Sequence, residues 1–243
     1  MENYIVGRNA VKEALRGERS VQRLLVADDK AKNSLRDIVA LATKQHIEVR
    51  LVPQKQLAKY AEEVPHQGVV AFVNAIQFTD LGEVLQETTD QAPLLILTDG
   101  VEDPHNMGAI IRTAECIGAT AVLVPKRHNA PINATVAKTS AGAVELMPIV
   151  QVGNVAQTIK QLQKQGFWVM GAHMEGDRTL YEADMTLPTV LVIGNEGKGI
   201  SRIVKEACDF LVTIPMYGSL NSLNASVAAA VLMYEAVRQR TAK

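Results

Sequence analysis

Three short polar stretches, each following an apolar run, hold the side chains that could do chemistry. The first is Asp99-Gly100-Val101-Glu102-Asp103-Pro104-His105-Asn106-Met107-Gly108, which continues into Ala109-Ile110-Ile111-Arg112. The second is Gly194-Asn195-Glu196-Gly197-Lys198-Gly199. The third leaves Ile214-Pro215-Met216, runs through Gly218-Ser219-Leu220-Asn221-Ser222-Leu223-Asn224 and enters a helix at Ala225. A guanidinium keeps its charge at any ordinary pH, so Arg112 suits a phosphate or a developing negative charge. The glycines of the second stretch let a ligand approach the backbone closely. Plainer readings stand beside these. Asn106 reads as a helix N-cap, and so do Ser222 and Asn224. Arg112 lies about 200° round the helix from Ile110, off the stripe Ile110, Ala114, Ile117, and could simply pair with Glu115. Glu196 and Lys198 could be solvated loop charges.

The elements that must hold these stretches read as alternating strands and helices. Short, largely apolar runs at 94–98, 121–124, 149–152, 167–170, 190–193 and 210–214 suit a parallel sheet covered on both faces. Helical patterns fall between them at 107–117, near 134–141, and at 155–165, 200–207 and 225–238. The last helix has almost no polar side chain over its first ten residues, which predicts burial nearly all round. Upstream lies a smaller αβ block: helix 10–15 capped by Gly17, strand 21–27, helix 32–45, strand 47–52, a helix opened by Pro53, and strand 68–73. The fold class is α/β. The expected division is a domain over 1–74, a linker over 75–91 and a larger domain over 92–243. In parallel α/β sheets ligands sit at the carboxyl ends of strands, where all three polar stretches lie.

Composition narrows the function classes. The chain has 243 residues, 47% hydrophobic and 21% charged, with a net charge of −1. Residues 1–74 hold 12 Lys and Arg against 9 Asp and Glu, and residues 75–243 hold 13 against 17. A local RNA-facing surface on the N-terminal block is permitted, whereas a global positive field is excluded. No apolar run is long enough to span a bilayer, and no basic segment followed by an apolar one opens the chain, so neither a membrane nor a secretory route is expected. Cys116 and Cys208 lack CxxC spacing and the five His show no ligand spacing, so no metal site is expected and a reducing, cytoplasmic setting is. The glycines of 194–199 do not form GxGxxG, which disfavours a nicotinamide-dependent dehydrogenase. The loop Pro125-Lys126-Arg127-His128-Asn129 is locally basic and could meet RNA phosphates. So could Arg8, Arg16, Arg19 and Arg23, or all could be solvated.

Taken together, Asp103-Pro104-His105-Asn106 with Arg112-Thr113-Ala114, Val192-Ile193-Gly194-Asn195-Glu196-Gly197, and Ile214-Pro215-Met216 with Ser222-Leu223-Asn224-Ala225-Ser226 resemble the three motifs of the SpoU (TrmH) branch of the SPOUT RNA methyltransferases. His66-Gln67-Gly68-Val69 is similar to the end of the L30e-like substrate-binding domain of the 23S rRNA guanosine 2'-O-methyltransferase subfamily. The resemblance implies a deep trefoil knot in the C-terminal domain, S-adenosylmethionine as cofactor, and a homodimer with the last helix near the interface. It implies catalytic roles for Arg112, Asn106, Glu196, Asn224 and Ser222. The implied cofactor contacts are Gly194, Ile214, Leu223, Gly171 and Asn195; the expected RNA contacts, Lys126, Arg127 and Arg8, rest on local basic charge. The expected activity is ribose 2'-O-methylation of a guanosine in 23S rRNA. The alternatives are a tRNA ribose 2'-O-methyltransferase, or an RNA-binding ribosome-assembly factor without catalysis.

Overall fold

The computed structural model describes residues 3–16, 21–31, 33–60, 65–74, 76–86 and 92–241. The expected cap at Gly17, Arg19, the start of the 32–45 helix and residues 87–91 of the expected linker lie outside them. The chain forms two compact units. One comprises residues 1–77 and 131–146, the other residues 78–130 and 147–243.

The first unit is built on a four-stranded sheet. Strand β1 (Tyr4–Val6) leads through Gly7, at φ +93°, into helix α1 (Arg8–Arg16). Strand β2 (Val21–Ala27), helix α2 (Arg36–Lys44), strand β3 (Glu48–Val52), the short helix α3 (Gln54–Leu57) and strand β4 (Val69–Val73) follow. The sheet order is β1-β4-β2-β3; β4 runs antiparallel to both neighbours and β2 runs parallel to β3. The three-residue β1 is too short to register as an alternating pattern, so the sequence reading opened on the helix after it. Apolar residues of α1, among them Ala10, Val11, Ala14 and Leu15, are buried.

The second unit carries seven strands, with every pairing parallel among the described residues. After α4 (Leu81–Gln86) come β5 (Leu94–Asp99), α5 (Pro104–Cys116) and β6 (Ala121–Pro125). The chain then contributes α6 (Ala134–Thr139) to the first unit. It returns as β7 (Ile149–Val152), α7 (Val155–Lys164), β8 (Trp168–Ala172), the two-residue β9 (Arg178–Thr179), β10 (Thr189–Gly194), α8 (Arg202–Ala207), β11 (Phe210–Thr213) and α9 (Ala225–Thr241). The order is β7-β6-β5-β10-β8-β11-β9. The chain winds outward from β5 to β7, and β10 later inserts between β5 and β8. That insertion sets Gly194 directly opposite Asp99. The apolar strand residues Leu95, Leu97, Leu123, Val169, Val190 and Val192 share one core cluster with Ile159 and Leu162 of α7.

Two expectations are corrected. Residues 131–146 group with the N-terminal unit rather than the C-terminal one, because α6 packs against β1 and α1. Helical periodicity shows that α6 has a buried face but not which partner covers it. The last helix is not buried all round. Ala225, Ala229, Leu232, Met233 and Ala236 are buried, while Val227, Val231 and Tyr234 are 47%, 37% and 56% exposed. A helix apolar on every side has two faces to cover, and here α5 and β10 cover only one.

Leu97 is fully buried in β5 between β6 and β10. Leu97→Ala should lower stability by about 2–5 kcal/mol, read as a lower urea midpoint with an unchanged slope.

Candidate active site

The site begins where β5 ends. Gly100 turns the chain at φ +79°, and Asp103 caps α5 by accepting from the His105 amide at 2.9 Å, with Pro104 in the first helical turn. The cap is therefore Asp103 and not Asn106, and α5 starts three residues earlier than its apolar pattern indicates. Asn106 lies inside the first turn, only 5% exposed. Its amide nitrogen donates to Glu196 Oε1 at 2.7 Å. Asn224 Nδ2 donates to Asn106 Oδ1 at 3.0 Å and also to Glu196 Oε1. An ionised carboxylate can only accept, so this arrangement sets the orientation of both amides. Asn224 Oδ1 faces the other way and caps α9, accepting from the Ser226 amide at 3.0 Å and the Ser226 hydroxyl at 2.6 Å. Asn224 thus caps α9, as its residue type suggests, and its amide also bridges Asn106 and Glu196.

The second stretch folds back on itself. Asn195 and Gly199 exchange backbone hydrogen bonds at 3.0 and 2.9 Å. Asn195 Oδ1 accepts from the Gly197 and Lys198 amides, and its Nδ2 donates to the Gly100 carbonyl at 2.9 Å. Asp99 Oδ2 accepts from the Ser201 amide at 2.6 Å. The turn is thus tied to the loop after β5 by side chains of both strands' ends. A Cβ on Gly194 would stand 2.2 Å from the Gly199 carbonyl carbon. At Gly194 the chain's own turn, rather than a ligand, forbids a side chain.

These turns frame one cavity of about 560 Å³, in the range of small-molecule sites. Its walls are residues 172–175 after β8, 193–199 at the end of β10, 212–216 after β11, and 221–223 before α9. Ile214, Pro215, Met216 and Leu223 give it apolar surface, while Glu196, Ser222 and the turn amides give it polar groups. Among the described residues no cluster of His, Cys, Asp and Glu could hold a metal ion.

Of the residues expected from sequence, Gly194, Asn195, Glu196, Ile214, Ser222 and Leu223 line this cavity. Asn106 and Asn224 join it through Glu196. Gly171 does not line it. A Cβ there would meet Ile200, Leu211 and Cys208, so this glycine serves packing. Arg112 is exposed on α5, about 9 Å along the axis from Asn106 and on another face. Among the described residues it has no hydrogen bond or ion pair, so Glu196 does not hold it and neither does Glu115. Lys126 and Arg127 are exposed after β6, and Arg8 is exposed at the start of α1. Arg16 pairs with Glu13, and the Arg23 guanidinium lies 4.1 Å from the Phe72 ring centroid. The sequence reading missed the wall formed by His173, Met174 and Glu175. His173 Nδ1 accepts from the Glu175 amide at 3.1 Å, and its Nε2 is 3.4 Å from Lys205 Nζ. The signal was present: Gly171-Ala172-His173-Met174-Glu175-Gly176 is a fourth polar exit from an apolar strand.

A family model described as the SpoU rRNA Methylase family matches residues 93–234. The chain belongs to the SpoU rRNA methylase family. The match spans all three motif stretches, and a second model, RNA 2'-O ribose methyltransferase substrate binding, matches residues 4–79. Bacillus subtilis YacO, placed by name in the TrmH family of tRNA/rRNA methyltransferases, is 41% identical over 240 residues, covering 98% of this chain and 96% of that protein. The crystal structure of the SpoU methyltransferase AviRb from Streptomyces viridochromogenes, in complex with AdoMet, superposes with a TM-score of 0.84 at 29% identity, covering 98% of this chain and 90% of AviRb. A TrmH/SpoU tRNA modifying enzyme from A. aeolicus matches at 35% identity and a TM-score of 0.56, over 65% of this chain and 79% of its own. The expected SpoU membership and SPOUT-type α/β fold with an N-terminal substrate-binding domain are thereby established.

Asn224→Ala removes the α9 cap, and about 0.5–2 kcal/mol of stability should go with it in a urea titration. The Cys208 thiol is pushed up to about 12 by burial and by the carboxylates of Asp209 and Asp99. It stays protonated at neutral pH, so iodoacetamide at pH 8 should label the exposed Cys116 and leave Cys208 unmodified, as read by peptide mass spectrometry.

Proposed function

We propose that this RNA methyltransferase of the SpoU/TrmH family methylates the ribose 2'-hydroxyl of a guanosine in 23S rRNA, using S-adenosylmethionine, in the cytoplasm. The observation that carries the reading is the junction of Asn106, Glu196 and Asn224 at the rim of one strand-end cavity. The donor set fits the cofactor: apolar walls at Ile214 and Leu223 suit a nucleoside, and the turn amides of 194–199 suit its polar groups. AviRb, solved with AdoMet, shares the fold along nearly the whole chain. S-adenosylmethionine supplies a methyl carbon on a good leaving group, so positioning dominates the barrier, and alignment of two bound reactants is worth about 7–11 kcal/mol.

The chain's own residues then have definite tasks. Gly194, Asn195, Ile214 and Leu223 hold the cofactor, and Ser222 orders the loop beside it. Glu196, locked by two amides, fixes the rim where the ribose docks. The Arg112 guanidinium stabilises the developing alkoxide or clamps the adjacent phosphate. Because Arg112 is exposed and does not line its own subunit's cavity, this reading sets it against the cavity of a second copy. The exposed apolar residues Val227, Val231 and Tyr234 of α9, with Leu220 81% exposed nearby in sequence, support such a homodimer. Lys126 and Arg127 meet RNA phosphates. Within the same reading the C-terminal segment is threaded as the family's deep trefoil knot. The N-terminal unit favours rRNA over tRNA, because the tRNA modifying enzyme from A. aeolicus matches only 65% of the chain.

Incubation with labelled S-adenosylmethionine and either 23S rRNA or bulk tRNA, followed by mapping of the modified ribose, tests the target. Label on tRNA alone overturns it. Arg112→Ala should abolish turnover while leaving cofactor affinity within a few-fold by calorimetry. Mixing Arg112→Ala with Glu196→Ala subunits should restore part of the activity, and no recovery would place the arginine in its own subunit's site.

A further inference from the structure

Basic side chains of the first unit are held in different ways. Lys12 pairs with Asp37 at 2.7 Å, Arg16 with Glu13 at 3.1 Å and Arg50 with Glu48 at 2.6 Å. Arg36, Lys44 and Lys55 are exposed and have no ion pair among the described residues, whereas at one corner unpaired cations are packed in place. Among the described residues, the side chains of Lys30 and Arg8 have no hydrogen bond or ion pair, and Lys138 Nζ meets only the Pro65 carbonyl.

The corner is built from two glycines in the left-handed region, side by side where β1 ends and β4 begins. Gly7 sits at φ +93° and Gly68 at φ +91°. A Cβ on Gly7 would stand 2.8 Å from Lys138 Cδ, and one on Gly68 would stand 2.8 Å from Lys30 Cδ. Each lysine stem therefore lies in the space a side chain would take. The loop 65–68 runs between them. Gln67, itself at φ +54°, accepts from the Arg8 amide through Oε1 at 3.0 Å, which joins the loop to the N-terminal end of α1. His66 Nδ1 accepts from the Gly68 amide at 2.9 Å, which requires that nitrogen to be unprotonated. Burial and the neighbouring Lys30 and Lys138 charges push the His66 pKa down, so the ring does not add a further charge to the pair.

We propose that Lys30 and Lys138, held over Gly68 and Gly7 with Arg8 beside them, form a phosphodiester-binding corner that grips the RNA substrate. Uncompensated cations with aliphatic stems packed in place are preorganised for an anion, and a lysine ammonium acts as a point charge on phosphate rather than as a reader of base edges. The corner fixes where the RNA lies and is indifferent to its sequence. Lys138 belongs to the span matched by the methylase family and not to the 4–79 substrate-binding match, yet it completes the N-terminal unit's surface. The inference rests on RNA as the substrate but not on which RNA, nor on catalysis.

The test uses the full chain with Lys30→Met and Lys138→Met, which keep the packed stems and remove the charges. Binding of 23S rRNA and of bulk tRNA is measured without S-adenosylmethionine between about 50 and 200 mM salt. Each variant should weaken both RNAs several-fold and lower the slope of log affinity against log salt by about 0.7–0.9. Lys44→Met, at the exposed end of α2, should change neither. Cofactor affinity by calorimetry should stay at the wild-type value in all three. Wild-type RNA affinity and slope in both lysine variants would overturn the proposal, and if Lys138→Met lowers the melting temperature, Lys30→Met alone decides. Failure of the wild type to methylate any RNA would overturn the functional reading while leaving this binding result intact.

Discussion

A carboxylate that can only accept hydrogen bonds organises this site. Glu196 lies 90 residues from Asn106 and 28 from Asn224, and its Oε1 takes an N–H from each. Because both amides are committed to it, Asn106 Oδ1 is left to take the second Asn224 proton, and Asn224 Oδ1 is left to cap α9. The first turn of α5, the 194–199 turn and the residue that caps α9 are thereby tied to one oxygen. Each link depends on the others, since an amide freed from the carboxylate would leave the buried Asn106 without its partner.

The junction is possible only because the sheet brings the loops to one edge. In a parallel sheet every strand end of the same polarity lies on the same side, and insertion of β10 between β5 and β8 sets Gly194 against Asp99. The 194–199 turn then binds the loop after β5 through Asn195 and Asp99. The cavity lies on the far side of that turn, under the ends of β8 and β11. Rigid backbone on three strand ends gives it fixed polar groups without long side chains, which is what a nucleoside-bearing ligand needs.

Neither surface feature of the two units belongs to the cavity, and both are incomplete in a different sense. The second face of α9 is apolar and uncovered, as expected for a helix with two packing partners. The corner at Gly7 and Gly68 is cationic, and its two lysine stems are packed where side chains on those glycines would stand. Apolar surface left bare and charge left uncompensated are the two signs of contact with something outside the chain. The apolar face belongs to the second unit and the cationic corner to the first.

How much of this could be read from residues alone follows from the range of the forces involved. Apolar runs fixed by local period located the strands of the parallel sheet, and glycine, proline and capping residues marked most of the loops. The motif stretches carried the family, and with it the cavity-lining residues Gly194, Ile214 and Leu223. Local pattern could not show that Asp103 rather than Asn106 caps α5, because both residue types suit a cap and only backbone geometry separates them. Nor could it show that Gly194 is required by the fold-back of its own turn, that Gly171 is a packing glycine, or that α6 joins the N-terminal unit. Those outcomes are set by contacts between residues far apart in the chain. Composition and spacing determined which elements form and which residues have chemistry to offer. Tertiary packing decided which of those residues meet, because a hydrogen bond between Asn106 and Asn224 exists only after the sheet has folded.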